Sequence, residues 1–304
     1  MAPTYKVAII QLYPKPLQPE TNFHKATEFI TQAASEGAQL AVLPEYHLTN
    51  WLPQDPKFVT LCEQWKVYLE GYQALAKKLS ICIVPGTIVE VHKEEKEEKN
   101  KLINVAYFIG PEGSILGRYE KKNLWHPERD HLTSSQHDPH PVFDTPVGRV
   151  GMLICWDLAF PEAFRELISQ GAKMIIIPTF WTLADCTEYG LKKNPLAEKL
   201  FLETTVTARA YENTCAVVFV NAGGPPDGKT KPGTYAGLSR VALPFVGALG
   251  DETKDSVEEG MSVVEIDMEI IDEAEKNYKV REDMARDDWH YTYRHDEFSK
   301  AGKL

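Results

Sequence analysis

Short, unbroken apolar runs alternate along this chain with longer stretches whose apolar residues recur every three or four positions. Residues 5–11 (Tyr-Lys-Val-Ala-Ile-Ile-Gln) read as a buried strand. Over residues 20–36 the apolar positions Phe23, Ala26, Phe29, Ile30 and Ala33 keep helical spacing, and Gly37 supplies the stop. Residues 40–43 form a second apolar strand that runs into Pro44-Glu45. Residues 57–79 predict one helix, and residues 81–91 one strand. Strands follow at 103–109 and 114–119, parted by the Pro111-Glu112-Gly113 turn.

The run Glu94-Glu95-Lys96-Glu97-Glu98-Lys99 carries only charge and reads as a solvated hairpin tip. Residues 120–146, rich in Pro, His and Asp, predict a long irregular excursion, and loops of that length in compact domains are often functional. The alternation then resumes: strand 149–154, helix 161–169, strand 173–177, helix 195–212, strand 214–220. Strands at 239–243 and 261–267 precede an extended or helical tail. No linker-like composition breaks the order, so residues 1–304 predict a single α/β domain whose strands bury both faces.

Three of these strands end in reactive side chains. They read Leu43-Pro44-Glu45-Tyr46, Tyr119-Glu120-Lys121, and Gly151-Met152-Leu153-Ile154-Cys155-Trp156-Asp157 running on to Phe160-Pro161-Glu162. A carboxylate, a cation and a thiol are the minimum set for thiol-dependent acyl transfer. In this order and with these neighbours they resemble the catalytic triad of the nitrilase superfamily, the carbon–nitrogen hydrolases. The resemblance covers about residues 5–290 and implies a four-layer α-β-β-α sandwich, with two sheets face to face and helices outside.

It also implies roles. Cys155 would be the nucleophile, set at a strand-to-helix elbow where a helix N-terminus lowers a thiol pKa. Glu45 would be the general base, its pKa raised by burial. Lys121 would hold the oxyanion together with the backbone N–H of Trp156. Lys122, on the opposite side of an extended backbone, is expected in solvent. Asn123 stands where many members carry His. Glu128, seven residues after Lys121, would orient substrate and support the lysine. Tyr46, Trp156, Phe180 and Trp181 are expected as pocket walls, and Arg209-Ala210-x-Glu212-Asn213 as framework. Members of the family commonly form homodimers or larger homo-oligomers, and none of these roles calls for a cofactor.

Two other patterns lead elsewhere. Gly223 to Thr230 fits the literal P-loop spacing, but Pro232, Gly233 and Gly237 leave no room for the helix whose N-terminus would bind phosphate. His126, His131, His137 and His140 crowd one segment, yet lack metal-ligand spacing and are expected in a solvated loop. A net charge of −11 disfavours nucleic acid and anionic membranes, and no apolar run approaches bilayer length. An odd cysteine count, five, with no Asn-x-Ser/Thr and no visible secretory signal points to the cytoplasm. Cys62, Cys82, Cys186 and Cys215 read as structural. The Gly302-Lys303-Leu304 ending matches a peroxisomal signal only in part.

These residues predict hydrolysis of a small amide. Nitrile or N-carbamoyl hydrolysis would use the same triad. A non-catalytic scaffold would more readily have lost part of it.

Overall fold

The computed structural model describes residues 2–92, 100–225 and 235–291. Strand β1 (Thr4–Gln11) shows why its apolar run is unbroken. Val7 and Ile9 fall in one apolar cluster with Val150, Met152, Ile176 and Val218 of a second sheet. Ala8 and Ile10 fall in another with Ala26 and Ile30 of α1 (Pro19–Ser35) and Leu69 and Tyr72 of α3 (Trp65–Leu79). Successive side chains point to opposite faces, so a strand covered on both sides must be apolar throughout. Each such Ile or Leu contributes about 1.5–3 kcal/mol by leaving water.

The first sheet also holds β2 (Leu40–Val42), β3 (Cys82–Val84), β4 (Thr87–His92), β5 (Lys101–Ile109), β6 (Ile115–Glu120) and β13 (Gly260–Asp267). Its strand order is β13-β1-β2-β3-β5-β4, with β6 paired to β5. The second sheet runs β12 (Gly247–Leu249), β11 (Arg240–Leu243), β10 (Ala216–Asn221), β9 (Met174–Thr179), β8 (Gly148–Met152), β7 (Val142–Thr145). Helices α4 (Pro161–Ser169) and α6 (Ala197–Glu212) cover it. The layers are the expected α-β-β-α sandwich. Within the sheets β1, β2 and β3 run parallel, as do β8, β9 and β10.

The element boundaries differ from the sequence-based ones where short-range chemistry intervened. The predicted strand 81–91 is two strands, broken at Pro85-Gly86, where Gly86 takes φ +57°. The predicted helix 57–79 is α2 (Lys57–Cys62) and α3, parted at Glu63-Gln64. A short helix α5 (Glu188–Lys193) precedes α6. The tail is helical through α7 (Met268–Tyr278) and α8 (Val280–Met284). The charged tip 94–99 and most of the P-loop-like segment lie outside the described residues. The chain is described again from Tyr235, which bridges Thr182, and reaches β11 without forming a helix. Among the described residues no helix is long and apolar enough to cross a membrane.

Candidate active site

The parallel strands place their C-terminal ends at one edge of the sandwich, where open α/β sheets bind ligands. Glu45 lies three residues past the end of β2. Its backbone N–H donates to the Thr179 carbonyl at the end of β9, 3.2 Å away, so the loop that carries Glu45 spans the two sheets. The next N–H, of Tyr46, donates to Thr87 Oγ1 at 3.2 Å. Lys121 follows β6 directly, and its N–H donates to the Asn104 carbonyl on β5 at 2.9 Å. Cys155 follows β8.

These three side chains meet in the interior. Lys121 Nζ donates to Glu45 Oε1 at 2.8 Å and to Glu128 Oε1 at 2.7 Å, with the lysine 1% and Glu45 0% exposed. Asn104 Nδ2 also donates to Glu45 Oε1, at 2.8 Å. Glu128 sits in a single 3₁₀ turn (His126–Glu128), accepting from the Tyr46 hydroxyl through Oε1 and from the Trp125 N–H through Oε2 at 2.7 Å. Glu45 Oε2 is buried with no hydrogen-bond partner among the described residues. The Cys155 thiol nonetheless lies close enough to act on the same carboxyl.

Burial, opposed by the Lys121 charge and reinforced by that of Glu128, pushes the Glu45 carboxyl up to about 7. Lys121 is pulled down by burial, but the carboxylates of Glu128 and Glu45 outweigh this, and it is held charged. Burial, then the Glu45 charge, pushes the Cys155 thiol well above its ordinary value, while Lys121 and the Phe180 N–H favour the thiolate. The expected lowering by a helix N-terminus is therefore not what this thiol experiences. Cys155 opens a 3₁₀ turn (Cys155–Ala159), and α4 begins only at Pro161. Burial thus disfavours the charged form of both the Cys155 thiol and the Glu45 carboxyl beside it.

The backbone is strained at the residues that place these side chains. Cys155 has φ +49° and Tyr46, the residue after Glu45, φ +51°. Each such left-handed residue costs on the order of 1–3 kcal/mol unless its surroundings enforce it. Asp157 enforces the first. It is fully buried, and Oδ2 accepts from the Ile154 N–H at 2.9 Å and the Tyr119 hydroxyl at 2.8 Å. Its Oδ1 accepts from the Asn123 N–H at 3.0 Å and from Asn123 Nδ2 at 2.8 Å. One carboxylate thus ties the cysteine elbow to the lysine segment. Asn123, where the resembling family often has His, supplies two of its four bonds.

A pocket of about 190 Å³ opens onto Cys155, Glu45 and Glu128. The expected walls Tyr46, Trp156, Phe180 and Trp181 line it, joined by Trp51, Trp125, Pro127, Thr182 and Asp185. The Trp125 and Trp156 rings stand 4.5 Å apart, and those of Trp156 and Trp181 5.7 Å apart. Sequence reasoning missed Asn104, although an amide inside the apolar run 103–109 was a usable signal. Asp185 gave none.

Two expectations about neighbouring residues fail. Lys122 is not solvated: it is 8% exposed, and its Nζ donates to the carbonyls of Gln136 (2.9 Å) and Asp138. The irregular excursion folds back over the side of the strand that was expected to face water. His140 likewise leaves the supposed solvated cluster. It is buried, its Nδ1 lies 2.7 Å from Glu166 Oε2, and its ring stacks on Tyr119. His126 and His137 are exposed and His131 is half-buried. Among the described residues no three His, Cys, Asp or Glu side chains are placed to hold a metal. Cys62, Cys82 and Cys215 are buried free thiols, and Cys186 is half-buried.

Residues 6–276 match the profile of the carbon–nitrogen hydrolase family. The chain is 29% identical over 274 residues to a nitrilase of Pyrococcus abyssi, covering 88% of this chain and 91% of the relative. It is 27% identical over 276 residues to the 2-oxoglutaramate amidase of Bacillus subtilis, with 89% and 93% covered. The crystal structure of a carbon–nitrogen hydrolase from Helicobacter pylori superposes with a TM-score of 0.80 at 22% identity, over 99% of both chains. A match across nine-tenths of the sequence and the same sandwich place this chain in the carbon–nitrogen hydrolase family.

Proposed function

We propose that this enzyme hydrolyses the carbon–nitrogen bond of a small amide through a thioester on Cys155. The observation that carries the proposal is the unpaired, buried oxygen of Glu45 beside the thiol, with Lys121 charged on the other oxygen. Glu45 takes the thiol proton as sulfur attacks the amide carbon. The carbonyl electrons move onto oxygen, which faces Lys121 and the Trp156 N–H, a donor with no acceptor inside its own turn. The tetrahedral species collapses, nitrogen leaves with the proton held by Glu45, and an acyl-Cys155 thioester remains. Glu45 then deprotonates a water that attacks the thioester, releasing the acid and restoring the thiol.

Glu128 favours an amide over a nitrile. Its carboxylate can accept from a substrate NH₂, a group a nitrile lacks, and a site built to pair with that group rejects analogues without it. The pocket suits a small molecule, being below the roughly 300–1,000 Å³ that holds drug-sized ligands. Thiol, carboxylate and ammonium fill every chemical role, so the reaction needs no metal or nucleotide. The enzyme works as a homo-oligomer, for which exposed Phe245, Val246 and Tyr278 offer apolar surface.

The test is ammonia release from small amides and their matching nitriles. Wild type should prefer the amides and keep its rate after prolonged chelation, and intact-mass measurement should find the acyl group on Cys155. Cys155→Ala should be inactive yet folded. Turnover by that variant would remove the mechanism, and a clear nitrile preference would remove the amidase assignment.

A further inference from the structure

Besides Glu45 and Glu128, the pocket wall holds a third carboxylate, Asp185, that the chemistry above does not use. Its oxygens accept from the Thr182 N–H at 2.8 Å and the Thr182 hydroxyl at 2.9 Å, which leaves a lone pair on each. Glu198 stands close behind: its Oε2 accepts from Trp181 Nε1 at 2.6 Å, and the charge of Asp185 acts on it. Among the described residues the pocket lining contains no lysine or arginine. Lys121, the nearest cation to the reacting atoms, is already shared between two carboxylates.

We infer that Asp185 sorts amides by the charge at the end remote from the scissile bond, favouring an ammonium and turning away a carboxylate. The inference rests on the amidase reading above and adds the substrate class. A substrate carboxylate would lose its water beside Asp185 with no cation on the described wall to replace it, and an unpaired charge out of water is costly. An ammonium finds the opposite. Asp185 offers a charge-assisted acceptor, and the indole side chains of Trp125, Trp156 and Trp181 line the same pocket, aromatic surface that suits a cation better than an anion. Glu45 does not compete for the ammonium at rest, because Lys121 and Asn104 occupy its Oε1 and the thiol lies against the carboxyl.

The test compares butanamide with its ω-amino and ω-carboxylate derivatives. Wild type should show kcat/KM falling in the order ω-amino, unsubstituted, ω-carboxylate. In Asp185→Asn and Asp185→Ser the ratio between the two charged substrates should shrink by about 10- to 100-fold, the weight of one charge-assisted hydrogen bond. Isothermal calorimetry on Cys155→Ala, with the same three compounds, reads the charge preference without turnover. Were no amide to release ammonia from wild type, the amidase reading would fall while calorimetry still judged Asp185. Tighter binding of the ω-carboxylate compound, or an unchanged ratio in both folded variants, overturns the inference. Should both variants fail to fold, the order of binding to Cys155→Ala decides alone.

Discussion

In the proposed mechanism Glu45 is the residue on which the pH behaviour turns. Its carboxyl is raised from 4.5 to about 7 chiefly by burial, and only the deprotonated form can take the thiol proton. We therefore expect kcat/KM to rise with pH through about 7 and then level, with an apparent pKa that belongs to the coupled Glu45–Cys155 pair. A rising limb confined below pH 5 would remove Glu45 as the base. Stability should move the other way. A carboxyl raised in the folded state favours folding below its unfolded value and loses that contribution as pH climbs from about 4.5 to 7. Glu45→Gln, which keeps an acceptor for Lys121, should thus gain stability relative to wild type over that window. Chemical denaturation at a series of pH values measures this directly. The adjacent lysines separate catalysis from structure. Lys121→Ala should cost on the order of 3 kcal/mol in transition-state stabilisation, a hundredfold or more in rate. Lys122→Ala should spare most of the rate but lose about 2 kcal/mol of stability, because its ammonium holds the Gln136 and Asp138 carbonyls. A reversed pattern in rates and melting curves would mean that Lys122 is the oxyanion cation.

At the scale of elements, the proposed catalytic side chains sit on loops that leave strand ends and are held by other strands. Gly86 shows how tightly. A Cβ placed there would stand 1.8 Å from the Pro44 carbonyl oxygen, on the backbone that leads into Glu45, and its φ of +57° is already unfavourable for a side chain. Gly86→Ala should therefore destabilise the fold by at least about 2 kcal/mol and lower kcat even where the protein stays folded. Wild-type kcat in a folded Gly86→Ala protein would show that the Glu45 loop tolerates displacement. This contact was illegible in the sequence, where 81–91 reads as one strand, because the break at Pro85-Gly86 serves a partner forty residues earlier. What could be read was whatever local patterning determines: the apolar strands, the amphipathic α1, α4 as far as its ends, and a reactive residue within three positions of the end of each of three strands. The burial of Lys122 and His140 could not be read, since each depends on how an irregular segment folds back. The four-bond role of Asp157 was likewise hidden. Its motif is visible, but its partner Tyr119 is placed by the pairing of β5 with β6, and its partner Asn123 lies on the segment just beyond β6.

For the whole molecule, charge is the property that reaches the site from a distance. The chain carries a net −11, and the described wall of its pocket adds carboxylates without a free cation. A field of that sign concentrates cations at the pocket mouth and depletes anions, over a range set by the salt. Raising ionic strength from about 0.01 M to 1 M shortens the Debye length from roughly 30 Å to 3 Å and removes this long-range part. We expect kcat/KM for the ω-amino amide to fall along that series, that for the ω-carboxylate amide to rise, and that for butanamide to stay nearly flat. Asp185 is half-buried in the pocket wall, so its contact with a bound substrate is screened less than the long-range field. Part of the charge preference should therefore survive at 1 M salt in wild type and be lost in Asp185→Asn. If the two charged substrates show the same salt dependence as butanamide, the overall charge has no hold on what enters, and selection is local to the pocket wall. If instead the preference vanishes at high salt in wild type as well, the field of the whole protein accounts for it and Asp185 does not.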